Sequence, residues 1–256
     1  MIGTERMADF SRFRVLGVPF NPIRREETIE RCRELIAGDH FHLMVTLGTE
    51  MVMAAQTDTD FLEVIERADL VVPDGIGVVL ATKLAGLRAP DRVTGVDLLK
   101  DLVQTATPDI GFFFYGAAPG IAQKAVDNLH DQFSDFNCVG VLDGFVKDQE
   151  EVLRTIEEAR PKVLFVAMGF PRQEHFLYRN RERLERAGVR LGIGVGGSFD
   201  VYSGAVERAP TIVQKLYLEW LYRVLKQPSR WKRMMALPKF ALRVLISPKS
   251  AVRVVE

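Results

Sequence analysis

Cysteine is scarce: 256 residues include only Cys32 and Cys138, far apart and without metal-type spacing. That argues against a disulfide framework and a thiolate zinc site, and makes a reducing, cytosolic setting the default expectation. Histidine is scarce too. Of the four, His40 and His42 flank Phe41 at a strand start, while His130 and His175 sit in helical segments without an i, i+4 partner; no metal centre and no cofactor are expected. No window reaches the ~18 to 20 uncharged apolar residues of a spanning helix. The opening MIGTERMADFSRFRVLGV has no basic stretch leading into an apolar one, so neither a membrane span nor a signal peptide is expected. There is no G-x-x-x-x-G-K-S/T, and GIGVVL begins like a dinucleotide fingerprint but lacks its third glycine. P-loop chemistry and NAD-dependent dehydrogenase or epimerase chemistry both lose ground.

Net charge is also absent, since 34 Lys and Arg balance 34 Asp and Glu. The balance hides an asymmetry. Residues 211–256 carry ten basic residues against two acids, a net +8, and the preceding 210 residues are therefore net −8. This divides the chain into residues 1–210 and a basic segment, 211–256, that faces a different partner.

What the chain does have is a strict alternation of short apolar runs and helical patterns. Strands are expected near 13–18, 42–46, 70–72, 111–115, 138–142, 163–167 and 190–195. Helical periodicity marks the segments between them, among them REETIERCRELIAG, DFLEVIERA, GVDLLKDLVQTA and PRQEHFLYRNRERLERAG. Continuous apolar strands alternating with helices predict an α/β fold, a Rossmann-like, mostly parallel sheet covered on both faces. A basic amphipathic helical appendage follows at 211–256.

In such a sheet ligands gather beyond the carboxyl ends of the strands. Four loops there are rich in glycine: PDGIG with Gly75 and Gly77, YGAAPG with Gly116, MGFPRQE, and GVGGSFD with Gly196 and Gly197. Glycine lets the backbone approach a ligand, and the helix start that follows offers free N–H groups to an anion. Any tight strand-to-helix turn uses glycine, but four together favour a phosphate-bearing ligand.

Asp74 interrupts the apolar run LVVPDGIGVV at a strand's carboxyl end. It is either a helix N-cap or a carboxylate placed to take a proton from a substrate hydroxyl. The D-x-D of TDTDF, a metal-holding spacing elsewhere, is better explained by N-capping from Asp58 or Thr59. In PDRVTGVD, Thr94 is a plausible N-cap, and Arg92 either clamps a diphosphate bidentately or pairs with a nearby acid. Gln173 and Glu174 open a helix after Pro171; the helix dipole explains Glu174 and leaves Gln173 unexplained.

Together VTLGTEMV, ADLVVPDGIGVV, RVTGVDLL, FFFYGAAPG, VAMGFPRQE, GIGVGGSFDVYSGAVERAP and LEWLYRVLKQPSR resemble the WecG/TagA/CpsF glycosyltransferase family, in the family's order, from about Val15 to Arg230. The resemblance implies an inverting, metal-independent transfer of an N-acetylmannosamine-type sugar. The donor would be a UDP-sugar and the acceptor lipid-linked through a polyprenyl diphosphate, at the cytoplasmic face of a membrane. It makes Asp74 the base that deprotonates the acceptor, and places Thr46, Arg92, Gln173 and Asp200 at the substrate pocket. Gly48 departs from it, standing where members often carry Asn.

The basic segment interleaves Trp220, Tyr222, Trp231, Phe240 and aliphatics with cations, including Arg223, Arg230, Lys232 and Arg233. That composition suits helices lying on an anionic membrane. In the family the tail also helps complete the active site. A nucleic-acid partner is not expected, because no such motif accompanies the charge, and apolar surface near the tail would equally serve a homo-oligomer. A catalytically inactive, membrane-docked binding or scaffold protein is the alternative to an enzyme.

Overall fold

A computed structural model describes residues 12–215, 219–226 and 235–255 of the chain. Six parallel strands form the main sheet: β3 (His42–Leu47), β4 (Leu70–Pro73), β5 (Gly111–Gly116), β6 (Asn137–Leu142), β7 (Val163–Ala167) and β8 (Leu191–Gly194). Their order is β4-β3-β8-β7-β5-β6.

The expected strand at 13–18 is instead a tight hairpin. β1 (Arg12–Val15) and β2 (Val18–Phe20) turn at Leu16 and Gly17, both with positive φ, and pair antiparallel. Hydrophobic pattern alone cannot show a two-residue reversal inside an apolar run. β1 also pairs antiparallel with β9 (Val252–Val255), Val15 opposite Val252, so the basic segment, expected as helical, ends in a strand.

Alternate residues of each strand serve opposite faces. Leu43, Val45 and Leu47 of β3, Phe113 and Tyr115 of β5, and Leu164 and Val166 of β7 belong to one core. Met44, Phe112, Phe114, Val163 and Phe165 belong to the other. The first core is covered by α2 (Thr49–Ala54), α3 (Thr59–Arg67), α4 (Ile76–Leu84), α7 (Gln149–Ala159), α8 (Arg172–Arg179) and α9 (Arg181–Arg186). The second lies under α1 (Arg25–Ala37), α5 (Gly95–Thr105), α6 (Ile121–His130) and α10 (Ser198–Tyr202). A sheet buried on both faces explains why its strands read as unbroken apolar runs.

The basic segment contributes α11 (Thr211–Lys215), α12 (Glu219–Lys226), α13 (Ala236–Ile246) and α14 (Pro248–Ala251). Phe240 and Val244 of α13, with Ala251 and Val252, are buried in the first core. No helix among the described residues is long and apolar enough to cross a membrane.

Adjacent strands β3 and β8 send their chains in opposite directions. The residues after β3 enter α2 on the first face, and those after β8 enter α10 on the second. Such a switch point leaves a crevice at the carboxyl edge of the sheet.

Candidate active site

A cavity of about 350 Å³ opens at that crevice, within the range of small-molecule sites. It is bounded by the loops after β3, β4, β7 and β8, by residues 92–96, and by Glu219, Trp220 and Leu237 from the basic segment. Thr46, Asp74, Gly75, Arg92, Gln173, Gly196, Gly197 and Asp200 all line it.

The register of β3 and β4 positions Asp74. Leu47 lies opposite Pro73, so both strands end at one level, and the Leu47 carbonyl accepts the N–H groups of Asp74 (3.1 Å) and Gly75 (3.2 Å). Asp74 lies one residue before the N-cap of the following helix. The N-cap of α4 is Gly75, without a side-chain cap, and the half-buried Asp74 carboxylate stands at the cavity with Oδ1 3.7 Å from an Arg92 nitrogen. Gly75 is required sterically: a Cβ there would lie 2.6 Å from both the backbone nitrogen and the hydroxyl of Thr49. Asp58 of the D-x-D caps its helix, accepting the Phe61 N–H at 3.0 Å.

Arg92 is fixed at one end by its Nε, which donates to the Asp74 carbonyl at 2.7 Å. At the other end it donates to the Glu219 carboxylate at 2.9 Å. Glu219 is the only acid of the basic segment before Glu256, is 4% exposed, and lies 3.9 Å from Arg208. Arg208 donates twice to Asp97, at 2.7 and 2.8 Å. Burial pushes the Asp97 carboxyl up, but the bonds from Arg208 and from Thr94 outweigh it and leave its pKa below the usual range. Thr94 also caps α5, accepting the Asp97 N–H at 3.1 Å. Alternating charges thus run from the cavity wall through the basic segment to α5, and each partner offsets a desolvation cost the next would otherwise carry.

Opposite Arg92, the Gln173 side-chain carbonyl accepts the N–H groups of Gly169 and Gly196, both at 3.1 Å. One amide therefore joins the loop after β7 to the loop after β8. Its Nε2 donates to Glu174 Oε1 at 2.7 Å. The first turn of α8 faces the sheet rather than solvent, so Glu174 is fully buried and does not serve as an exposed dipole charge. Burial pushes its pKa up to about 7. Thr46 is buried as well, its hydroxyl donating to the Gly194 carbonyl at 3.1 Å.

Two of the glycines singled out in the sequence do not line the cavity. A Cβ on Gly77 would meet Thr49 Oγ1 at 2.6 Å and the Phe240 ring at 3.2 Å, so this glycine admits α13. One on Gly116 would lie 2.5 Å from the Ala167 carbonyl oxygen, which makes it a close strand-to-strand contact. Of the cations in the basic segment, Arg223 lies in α12 without a described side chain, and Arg230, Lys232 and Arg233 lie outside the described residues. Sequence reasoning missed Thr49, whose buried hydroxyl has no hydrogen-bond partner among the described residues, and Glu219. A lone carboxylate inside a strongly cationic segment was a usable signal for the latter. Among the described residues no three His, Cys, Asp or Glu side chains come together as a metal site.

Three relatives share the sequence over most of their length. Proteins from Bacillus subtilis strain 168 and Bacillus spizizenii are 38% and 39% identical, over 80% and 79% of this chain and 79% and 78% of theirs. One from Staphylococcus aureus strain MRSA252 is 29% identical over 94% of both chains. All three are named N-acetylglucosaminyldiphosphoundecaprenol N-acetyl-beta-D-mannosaminyltransferase. The model of the glycosyl transferase WecG/TagA/CpsF family matches residues 13–253, which spans the whole main sheet, the cavity and all but the last three residues of the basic segment; the chain belongs to that family and is a glycosyltransferase.

Proposed function

We propose that this enzyme transfers an N-acetylmannosamine-type sugar from a UDP donor to a polyprenyl-diphosphate-linked sugar, with inversion at the anomeric carbon and without a metal. The acceptor would be the N-acetylglucosaminyl diphosphoundecaprenol in the relatives' name, in teichoic-acid-type or other cell-surface polysaccharide synthesis. The observation that carries the reading is Asp74, a carboxylate brought to the cavity by strand register, beside the partly buried Arg92.

An inverting transfer needs a base on one side of the anomeric carbon and a stabiliser for the leaving diphosphate on the other. Asp74 takes the acceptor proton as the hydroxyl attacks. The N–H groups of the glycine loops meet the charge growing on the departing UDP, while Arg92, fixed at its Nε beside Asp74, binds substrate phosphate on the base's side of the cavity. Thr46, Gln173 and Asp200 line the sugar-nucleotide site.

The basic segment, 211–256, docks the enzyme on the anionic inner face of the membrane, where the lipid-linked acceptor resides. α13 packs against α4; Leu242, Leu245 and Ile246 of the first and Leu80 and Leu84 of the second are exposed, as are Lys83, Lys239, Arg243 and Lys249. Exposed apolar side chains and cations on neighbouring helices suit an interfacial surface. A subunit contact is the competing use of that surface, and sedimentation with and without vesicles separates the two.

The test is turnover of UDP-N-acetylmannosamine with a short-chain lipid-diphosphate N-acetylglucosamine acceptor, in EDTA. Wild-type enzyme should form product, and Asp74→Asn should lower kcat by ~10²- to 10⁴-fold while UDP affinity by calorimetry stays near the wild-type value. A variant that turns over normally would remove Asp74 as the base, and activity abolished by EDTA but restored by Mg²⁺ would overturn metal independence.

A further inference from the structure

The mechanism above makes no use of Glu174, yet this is a fully buried carboxyl directly beneath the cavity. It forms no ion pair among the described residues; its one hydrogen bond to a neighbouring side chain is the 2.7 Å contact with Gln173 Nε2. Its second oxygen, Oε2, is buried without a partner. The backbone has been cleared for it: a Cβ on Gly194 would lie 2.5 Å from Gln173 Nε2 and 2.8 Å from Glu174 Oε1. A charge so placed, with no cation beside it, is unfavourable, whereas a neutral carboxylic acid is tolerated and still offers a carbonyl oxygen. Burial also pushes its pKa up to about 7, in the direction of the neutral acid.

The geometry fixes what that oxygen does. Gln173 Oε1 already faces two backbone donors, Gly169 N–H and Gly196 N–H. A rotated amide would set Nε2 against both of them, so an acceptor on the other side locks the orientation.

We infer that Glu174 is a positioning residue that acts as a neutral carboxylic acid, locking the Gln173 amide so that the loops after β7 and β8 keep the spacing the sugar-nucleotide site needs. The inference rests on the transferase reading given above. Glu174 touches no substrate; it acts through Gln173.

The experiment compares Glu174→Gln, Glu174→Met, Gln173→Met and the double Gln173→Met/Glu174→Met variant, reading donor KM, kcat and UDP affinity on the full chain. Glutamine keeps a neutral acceptor at the Oε1 position, so Glu174→Gln should stay within about threefold of wild type in kcat/KM. Methionine keeps the length without the acceptor, and Glu174→Met should lose tenfold or more, carried mainly by donor KM. In the Gln173→Met background, Glu174→Met should cost nothing further in kcat/KM.

A merely structural role would give a different pattern, with less folded protein and a lower apparent kcat at unchanged KM. Three results overturn the inference: Glu174→Met with wild-type KM, Glu174→Gln as impaired as Glu174→Met, or full additivity in the double variant. If Glu174→Met does not fold, the Glu174→Gln comparison still decides, because a site needing a charged carboxylate fails with glutamine. Wild-type protein that neither turns over nor binds UDP fails the transferase reading itself, and the inference falls with it.

Discussion

At the scale of the residue, burial decides what a carboxylate becomes. Asp97 is half-buried but faces Arg208 and Thr94, and is held ionised. Glu174 has no ion-pair partner among the described residues, and burial drives it toward its neutral form. This has a consequence for stability. The Glu174 carboxyl titrates at about 7 in the folded protein against an ordinary 4.5. Below the lower value both folded and unfolded chains hold the proton, between the two only the folded chain does, and above the higher neither does. The wild type therefore loses stability as pH rises from about 4.5 to about 7, by on the order of 3 kcal/mol at most from this group. Glu174→Gln has no proton to lose, so its stability relative to wild type should rise between about pH 4.5 and pH 7 in urea unfolding; parallel profiles would show that the carboxyl stays ionised when buried. That Asp74, Arg92, Gln173 and Asp200 line one cavity agrees with the expectation that they share a pocket, which for Asp74 and Arg92 came from their loops and for Asp200 only from the family resemblance. Glu174 was visible only as a helix-start acid, because sequence periodicity does not say which side of a first turn meets the sheet.

At the scale of the element, α8 and β8 are fitted to each other. Leu191 and Ile193 of β8 point into the second core, leaving Gly192 and Gly194 to face α8. Without side chains on that face, α8 can bring Gln173 and Glu174 down onto the strand. Gly194→Ala would place its Cβ against a clamped amide instead of a free side-chain end. It should destabilise the protein by ~1–3 kcal/mol and weaken UDP binding as well, both measurable on the same preparation; unchanged affinity would mean the loops do not depend on this contact. The six strands of the main sheet and the longer helices were readable from alternation. Two features were not. PRQEHFLYRNRERLERAG reads as one helix but is two, because Asn180 ends α8, its side-chain amide donating to the Phe176 carbonyl at 2.7 Å. The six residues of α2 are too few to show a period.

At the scale of the whole molecule, the sequence's charge asymmetry marked the basic segment, but not that this segment returns to the core. Its docking role predicts a charge-dependent affinity. Replacing Lys239 and Lys249 by glutamine should weaken binding to anionic vesicles by up to roughly thirtyfold, at ~1 kcal/mol for each cation, with little change on neutral vesicles; equal binding to both would point to this surface as a subunit contact. The pairing of β9 with β1 changes how the segment is to be pictured. Buried at Ala209 on one side and knitted into a sheet at Val252 on the other, the segment is tethered at both ends and is not a free arm. Two anchors keep Glu219 near Arg92 at a higher effective concentration than a segment tethered at one end would. The pairing also means that deleting everything after Ala209 strips β1 of a partner and removes Phe240, Val244, Ala251 and Val252 from the first core. Inactivity of such a deletion would report a wounded fold, and only substitutions within the segment can report on the membrane.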